Sequence, residues 1–217
     1  MARPSKKDIP PGEPPARDQL LMAAAKLMTD RHTTEISLND IAAESGLTPA
    51  MVRYYFGHRA GMRMAMLRYA LGPSIAQLDE LLAMKLTPTE KLRVHIHGVV
   101  NTHFRHPYVN RLVHQILADD GAEYGKMIAD EITSPIIRCQ QAILKEGLEN
   151  GEFRAVDPMF FYYHVIGACD HLFYGQYSMK HSFGVERITE AVKRAYIEHL
   201  CTTILHGVTV DRPETAT

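Results

Sequence analysis

Apolar side chains recur at helical spacing along most of the chain, and the chain lacks the every-second-residue alternation typical of a strand. Between residue 17 and about residue 30, apolar positions lie three and four residues apart, which predicts an amphipathic first helix. Its inward-facing residues are Leu20, Leu21, Ala24, Leu27 and Met28. The same spacing returns up to about residue 206, so we predict an all-α fold of about nine helices.

A short second helix is delimited on both sides. Ser37 followed by Asp40 resembles a capping box and predicts a helix over residues 38–45, with Asn39 pointing outwards. Gly46 then stands where a helix end needs a left-handed residue. A third helix follows after a single further residue.

The third helix, residues 49–56, carries an unusual density of hydrogen-bond donors for its two turns. Thr48 is a favoured N-cap and Pro49 suits the first helical position. Arg53, Tyr54 and Tyr55 then offer groups that suit phosphate oxygens and base edges. Two helices joined by a tight glycine turn are typical of a helix-turn-helix motif, whose second helix enters the major groove of DNA.

Residues 20–67 resemble the N-terminal domain of the TetR family of transcriptional regulators. The resemblance is carried by SLNDIA (37–42), SGLT (45–48), YF (55–56) and GHRAGM (57–62). It implies a homodimeric DNA-binding regulator, with a helix-turn-helix domain followed by a larger helical domain for ligand binding and dimerisation. It also places Phe56 in the core of the first domain.

The chain departs from the family pattern at several positions of this motif. Arg53 replaces the usual Tyr, and His58-Arg59-Ala60 replaces Ser-Lys-Glu, so Arg59 is expected to keep the phosphate contact of that Lys. Ala50 and Met51 can touch a thymine methyl but cannot recognise a hydrogen-bond pattern. The predicted DNA contacts are Ser37, Asn39, Thr48, Pro49, Ala50, Met51, Arg53, Tyr54, Tyr55, His58 and Arg59.

A long fourth helix, residues 58 to about 84, is expected to connect the two domains and to be kinked at Gly72-Pro73, because a proline removes a helix hydrogen bond. The kink is either a hinge on the route of a signal or a static bend. Further helices are predicted at 88–106, 107–121, 122–150, 158–180 and 185–206. The predicted domains are a disordered arm (1–16), the helix-turn-helix domain (17–62), the regulatory and dimerisation domain (63–207) and a tail (208–217).

The helix predicted at 158–180 has two distinct faces. One face carries Phe160, His164, Gly167, His171 and Tyr174, and the opposite face is plainly apolar. The family resemblance implies that the last two helices form the dimer and that an effector pocket lies between the fourth to eighth helices. The sequence leaves open which face of this helix makes the dimer and which lines the pocket. The candidate contacts to a small, largely apolar or aromatic effector are His95, His103, Tyr163, His164, His171 and Tyr174, each alternatively a core or interface residue.

Charge and composition narrow the class of protein further. Residues 1–68 hold ten Lys and Arg against seven Asp and Glu, whereas residues 69–217 hold fourteen against eighteen, so the basic excess lies with the predicted DNA-binding half. Arg3, Lys6 and Lys7 in the Pro-rich arm either follow a DNA backbone or form a solvated tail. Neither a membrane span nor a signal peptide is indicated, which favours a cytoplasmic protein.

Twelve histidines and three separated cysteines invite a metal or catalytic interpretation. The histidine spacings do not give a chelating set, the cysteines do not form a CxxC pair, and the usual nucleophile and phosphate-loop motifs are missing. We therefore predict no enzyme activity, no metal and no cofactor. The sequence favours an effector-released repressor that binds a palindromic operator as a dimer. The alternatives are a DNA-binding protein without an effector and, less favoured, a metal sensor or enzyme built on the helical half.

Overall fold

The structure, a computed structural model, describes residues 14–210. The N-terminal arm up to residue 13 and the end of the predicted tail from residue 211 lie outside the described residues. The chain divides into two compact units whose boundary falls between Tyr69 and Ala70. Apart from an isolated bridge between Phe153 and Thr209, the regular structure of residues 14–210 is helical, as predicted.

The first unit contains α1 (Ala16–Asp30), α2 (Leu38–Ser45) and α3 (Pro49–Phe56), together with α4 (Arg59–Ala76) as far as Tyr69. α1 packs against α2, and α2 packs against α3. The apolar residues predicted for α1 are all buried, together with Ile41, Val52 and Phe56. The predicted bounds of α1 to α3 agree with the structure, apart from one residue at the start of α1.

The second unit begins with the end of α4 and contains α5 (Leu78–Ala83), α6 (Pro88–Arg105), α7 (Val109–Ile128), α8 (Ser134–Glu149), α9 (Pro158–Tyr174), α10 (Gln176–Phe183) and α11 (Glu190–Val208). A π-helical turn, Ala129–Thr133, joins α7 to α8. α6 lies at the centre of this unit and packs against α8, α9 and α11. The shared core includes Leu92, Ile96, Ile143, Val165 and Ile204.

Several helix boundaries differ from the sequence prediction. α7 runs through Gly121 to Ile128, because a lone glycine weakens a helix without ending it. α4 continues through Pro73, and the break falls at Gln77. The helix predicted at 158–180 divides at Gly175. These last two divisions account for eleven α-helices within residues 14–210 where about nine were predicted.

The loop after α8 is held by a close approach between Gly147 and Phe153. A Cβ at position 147 would overlap the buried Phe153 ring, so only glycine fits there. The chain then pairs with the end of α11, where Arg154 N–H donates to the Val208 carbonyl at 2.8 Å. The last helix begins at Glu190, five residues later than predicted, because Thr189 caps it by accepting from Val192 N–H.

Candidate nucleic-acid interface and ligand cavity

The turn between α2 and α3 is fixed by local hydrogen bonds. Asp40 N–H donates to Ser37 Oγ at 3.0 Å, and Ser37 N–H donates back to Asp40 Oδ2 at 3.0 Å, which completes the predicted capping box. The bond from the Ser37 side chain, followed by the bond from Arg31, lowers the pKa of Asp40 to about 2. Gly46 adopts φ 71° and ends α2, as expected.

Helix α3 is anchored on one side and exposed on the other. Met51 N–H donates to Thr48 Oγ1 at 3.3 Å at the start of the helix. Val52 and Phe56 are buried, so the prediction that Phe56 belongs to the core is confirmed. Gly61, at the start of α4, lies where a Cβ would overlap the Phe56 carbonyl, so this glycine lets α4 begin directly against the end of α3.

The predicted DNA contacts lie on the outer surface of this motif. Ser37, Asn39, Thr48, Ala50, Arg53, Tyr54, His58 and Arg59 are exposed, and Pro49, Met51 and Tyr55 are partly buried. The rings of Tyr54 and Tyr55 meet edge to face, with their centroids 5.1 Å apart. The structure therefore brings the predicted residues to the surface around α3 and leaves Tyr54 59% exposed.

Arg59 is held by a residue that sequence reasoning missed. Its Nη2 donates to the carboxylate of Glu35, which lies just before α2. Glu35 also accepts from Nη2 of the buried Arg63 at 3.2 Å. The family's Glu is replaced by Ala60 in this chain, and nothing in the sequence pointed to an acid at position 35.

The second unit contains a cavity of about 670 Å³. Its walls come from the end of α4, from α5 to α9 and from the π-helical turn, which contributes Ile132 and Thr133. Aliphatic side chains are the largest class in the lining and include Leu71, Ile75, Val109, Val113, Ile128 and Ile166. Such a cavity has the size and character of a site for a small, largely apolar ligand.

One end of the cavity is polar. His103 Nδ1 lies 3.0 Å from the Val99 carbonyl, and His103 Nε2 lies 3.6 Å from Asp170 Oδ1. Asn110 Nδ2 donates to Asp170 Oδ2. Burial raises the pKa of Asp170, although His103, His114 and His171 oppose this effect. His103 was predicted from the sequence, whereas Asp170 and Asn110 were not.

His95 lines the cavity from a buried position. Its Nε2 lies 3.0 Å from Nε2 of Gln140, a nitrogen that can only donate, so the imidazole accepts there and carries its proton on Nδ1. Burial lowers the pKa of His95 to about 4. The side chain is therefore neutral at physiological pH.

The end of α4 belongs to the cavity wall through Leu71, Ser74 and Ile75. Thr102 Oγ1 donates to the Gly98 carbonyl at 2.9 Å, which leaves its oxygen to accept from the Ser74 hydroxyl at 2.8 Å. This bond joins the last turn of α4 to α6.

Helix α9 has three faces, one more than the sequence analysis distinguished. Phe161 and Val165 face the core, while Tyr162, Ile166 and Asp170 line the cavity. The remaining face is exposed and carries Tyr163, His164, His171 and Tyr174, none of which is a cavity-lining residue. Of the six predicted effector contacts, the structure places only His95 and His103 in the cavity wall. The exposed aromatic side chains of α9 and α10 are Phe160, Tyr163, Tyr174, Tyr177 and Phe183.

Within residues 14–210, His, Cys, Asp and Glu side chains do not gather in any group of three able to hold a metal ion. In the same range, the helices are too short or too polar to cross a membrane.

The neutral state of His95 makes the free energy of unfolding depend on pH. An unfolded histidine takes up a proton near pH 6.5, whereas folded His95 does so only near pH 4, so its contribution is complete above pH 6.5 and is lost as the pH falls towards 4. We expect wild type to lose about 2 kcal/mol from this group between pH 7 and pH 5. His95→Gln removes that part of the slope, as measured by chemical denaturation at both pH values.

The matched control is His181→Gln, a substitution of an exposed histidine in α10, which is expected to keep the wild-type slope. A pH slope in His95→Gln equal to that of wild type would contradict the assignment of a neutral, buried His95.

Comparison with known proteins agrees with the fold and the motif. The family profile described as "Tetracyclin repressor-like, C-terminal domain" matches residues 85–213. The HTH-type transcriptional regulator BetI of Rhizobium meliloti (strain 1021) is 33% identical over 82 residues, 38% of this chain and 39% of that protein. BetI of Brucella anthropi is 29% identical over 80 residues, 37% of this chain and 41% of that protein. These matches thus span about two fifths of the length of the curated relatives.

Solved structures share the fold over nearly the whole chain. A TetR/AcrR-family regulator from Thermobifida fusca has a TM-score of 0.67 at 20% identity and covers 91% of this chain and 98% of its own. The ketosteroid regulator KstR2 of Mycobacterium tuberculosis has a TM-score of 0.67 at 18% identity, covering 92% and 97%. FadR from Bacillus subtilis, solved with stearoyl-CoA, has a TM-score of 0.64 at 19% identity, covering 86% and 98%. Because the family profile matches more than half of the chain, this protein belongs to the TetR family.

Proposed function

We propose that the protein is a homodimeric, cytoplasmic transcriptional repressor that binds a palindromic operator and is released from it by a small-molecule effector. The observation that carries this proposal is helix α3, which exposes Arg53 and Tyr54 from a short helix anchored by Val52 and Phe56. A helix-turn-helix motif places such a helix in the major groove of double-stranded DNA. Two copies in a dimer would occupy half-sites about 34 Å apart or a multiple of that distance.

The surface around α3 offers distinct kinds of DNA contact. Arg53 suits guanine, because a guanidinium can donate two parallel bonds to the base edge. Tyr54 is exposed beside it, and the partly buried Tyr55 suits a phosphate. Arg59 is held by Glu35 through Nη2, but a guanidinium has five N–H groups, so the same residue can still donate to phosphate.

The dimer is proposed to form through the outer surface of the last helices, as the family resemblance implies. Phe160 and Tyr163 on α9 are each 67% exposed, and Tyr177 and Phe183 on α10 are 74% and 78% exposed. Exposed aromatic surface of this extent is typical of a protein interface. On this proposal, Tyr163, His164, His171 and Tyr174 contact the second subunit rather than the effector.

The cavity favours a regulator that responds to a small-molecule effector over the alternative, a DNA-binding protein without an effector. Its volume of about 670 Å³ and aliphatic walls suit a small molecule, and FadR from Bacillus subtilis was solved with stearoyl-CoA bound. We propose that an effector shifts the end of α4 and that Gly72 and Pro73 are the hinge, since Pro73 cannot donate the helix hydrogen bond that would stiffen this turn.

Arg53→Ala tests the DNA-binding proposal. The variant is expected to lose about 1–3 kcal/mol of operator affinity, because a guanine contact is removed. DNA flanking the protein's own gene serves as the target in footprinting and mobility-shift assays. Arg138→Ala, at an exposed arginine of α8, is the matched control and is expected to bind like wild type. Full operator affinity in Arg53→Ala would remove α3 from sequence recognition.

Tyr163→Glu tests the dimer proposal. A buried carboxylate at the centre of the interface is costly, so this variant is expected to sediment as a monomer of 24.5 kDa while wild type sediments as a dimer. Leu148→Glu, at a 50% exposed apolar residue of α8, is the control and is expected to stay dimeric. A dimeric Tyr163→Glu would show that the interface lies elsewhere.

Pro73→Ala tests the hinge. Restoring the helix hydrogen bond is expected to leave DNA affinity and effector binding unchanged but to weaken effector-driven release of the operator at least threefold, consistent with a coupling of about 1–3 kcal/mol in wild type. The effector used is the compound that most raises Tm in a screen of apolar alcohols, amines and acids. Gly121→Ala stiffens α7 at a position with open space and serves as the control. Normal release in Pro73→Ala would make the proline a static bend.

A further inference from the structure

The polar end of the cavity has a defined arrangement of protons. The Val99 carbonyl can only accept, so His103 Nδ1 carries the hydrogen that bonds to it at 3.0 Å. Whenever the imidazole is neutral, its Nε2 is therefore an acceptor. The ring is further oriented by stacking on Phe173, with centroids 6.3 Å apart and planes inclined by 18°.

This acceptor faces a second one. Asp170 Oδ1 lies 3.6 Å from His103 Nε2, a distance longer than a hydrogen bond. Two acceptors in this position repel each other unless a hydrogen lies between them, either a proton held by the pair or a donor group of a ligand. A hydroxyl or an ammonium group that donates to one or both atoms satisfies this requirement.

The charge at this end of the cavity selects against an acidic ligand. The side chain of Asp170 is only 13% exposed, whereas Glu80 and Arg105, the other charged residues described in the wall, are exposed. A ligand carboxylate beside Asp170 would place a second negative charge in a half-buried site, which is unfavourable. Asn110, which donates to Asp170, holds the carboxylate in place.

The rest of the cavity sets the body of the ligand. Ile166 and Tyr162 precede Asp170 on the same face of α9, and Ile128 and Ile132 also line the cavity. A ligand anchored at Asp170 would therefore lay an aliphatic or alicyclic body along these side chains. The hydrophobic effect would supply most of its affinity, and the polar end its selectivity.

We propose that the effector is an amphipathic molecule whose hydrogen-bond-donating head, an alcohol or a protonated amine, binds between His103 Nε2 and Asp170 Oδ1, with its apolar body along α9. This inference rests on the proposed effector-binding function and names the chemical class of that effector. It makes Asp170 the residue that discriminates donor heads from carboxylates.

A matched series of octyl compounds tests the proposal on the full chain. Tm and Kd are measured with octylamine, 1-octanol and octanoate at about pH 8, where an ordinary histidine is neutral. Octylamine and 1-octanol are expected to raise Tm and to bind at least tenfold more tightly than octanoate. Tighter binding of octylamine would identify an ammonium head, and tighter binding of 1-octanol a hydroxyl head. Binding of octanoate as tight as the other two, or stabilisation by none, would overturn the proposal.

Asp170→Asn keeps the shape of the side chain and removes its charge. This variant is expected to bind octylamine at least tenfold more weakly than wild type and to show a smaller difference in Kd between octylamine and octanoate. Glu149→Gln, at an exposed carboxylate of α8 outside the cavity lining, is the control and is expected to keep the wild-type order. An unchanged order in Asp170→Asn would overturn the role of Asp170. Operator binding without any ligand is measured separately, so failure of the proposed DNA-binding function is distinguishable from failure of this proposal.

Discussion

The anchoring of α3 is the constraint on which the DNA-binding half depends. A helix of eight residues is unstable alone in water, so α3 keeps its shape only because Val52 and Phe56 are buried and Thr48 caps its first turn. Gly61 also allows α4 to begin in close contact with the end of α3, because a Cβ at this position would overlap the Phe56 carbonyl. The exposed side of α3 can be changed with little effect on folding, whereas the buried side cannot.

The sequence predicts the fold well wherever the signal is local. The capping residues Ser37 and Thr48 mark the starts of α2 and α3, because each capping bond is made within three residues. Gly121 and Gly175 illustrate the limit. Gly121 continues a helix, whereas Gly175 divides one. The presence of a glycine therefore does not by itself decide where a helix ends.

The candidate sites also differ in how far local sequence signals predict them. The residues around α3 followed from a motif, and the structure brings them to one surface. The cavity was only partly predictable, because its polar residues come from three helices: His103 from α6, Asn110 from α7 and Asp170 from α9. Their spacing along the chain does not indicate that these helices meet. The sequence pattern distinguishes only two faces of α9, whereas this helix packs against the core on one side, borders the cavity on a second and is exposed on a third.

The π-helical turn Ala129–Thr133 bears on how the cavity can diverge among relatives. A π-helical turn accommodates one extra residue in a helix while the α-helical segments on either side keep their places. Loss of a single residue there would restore a regular α-helix and redirect Ile132 and Thr133, which line the cavity. Insertion and deletion of one residue are thus an evolutionary route to a new ligand specificity that leaves the packing of α7 and α8 intact.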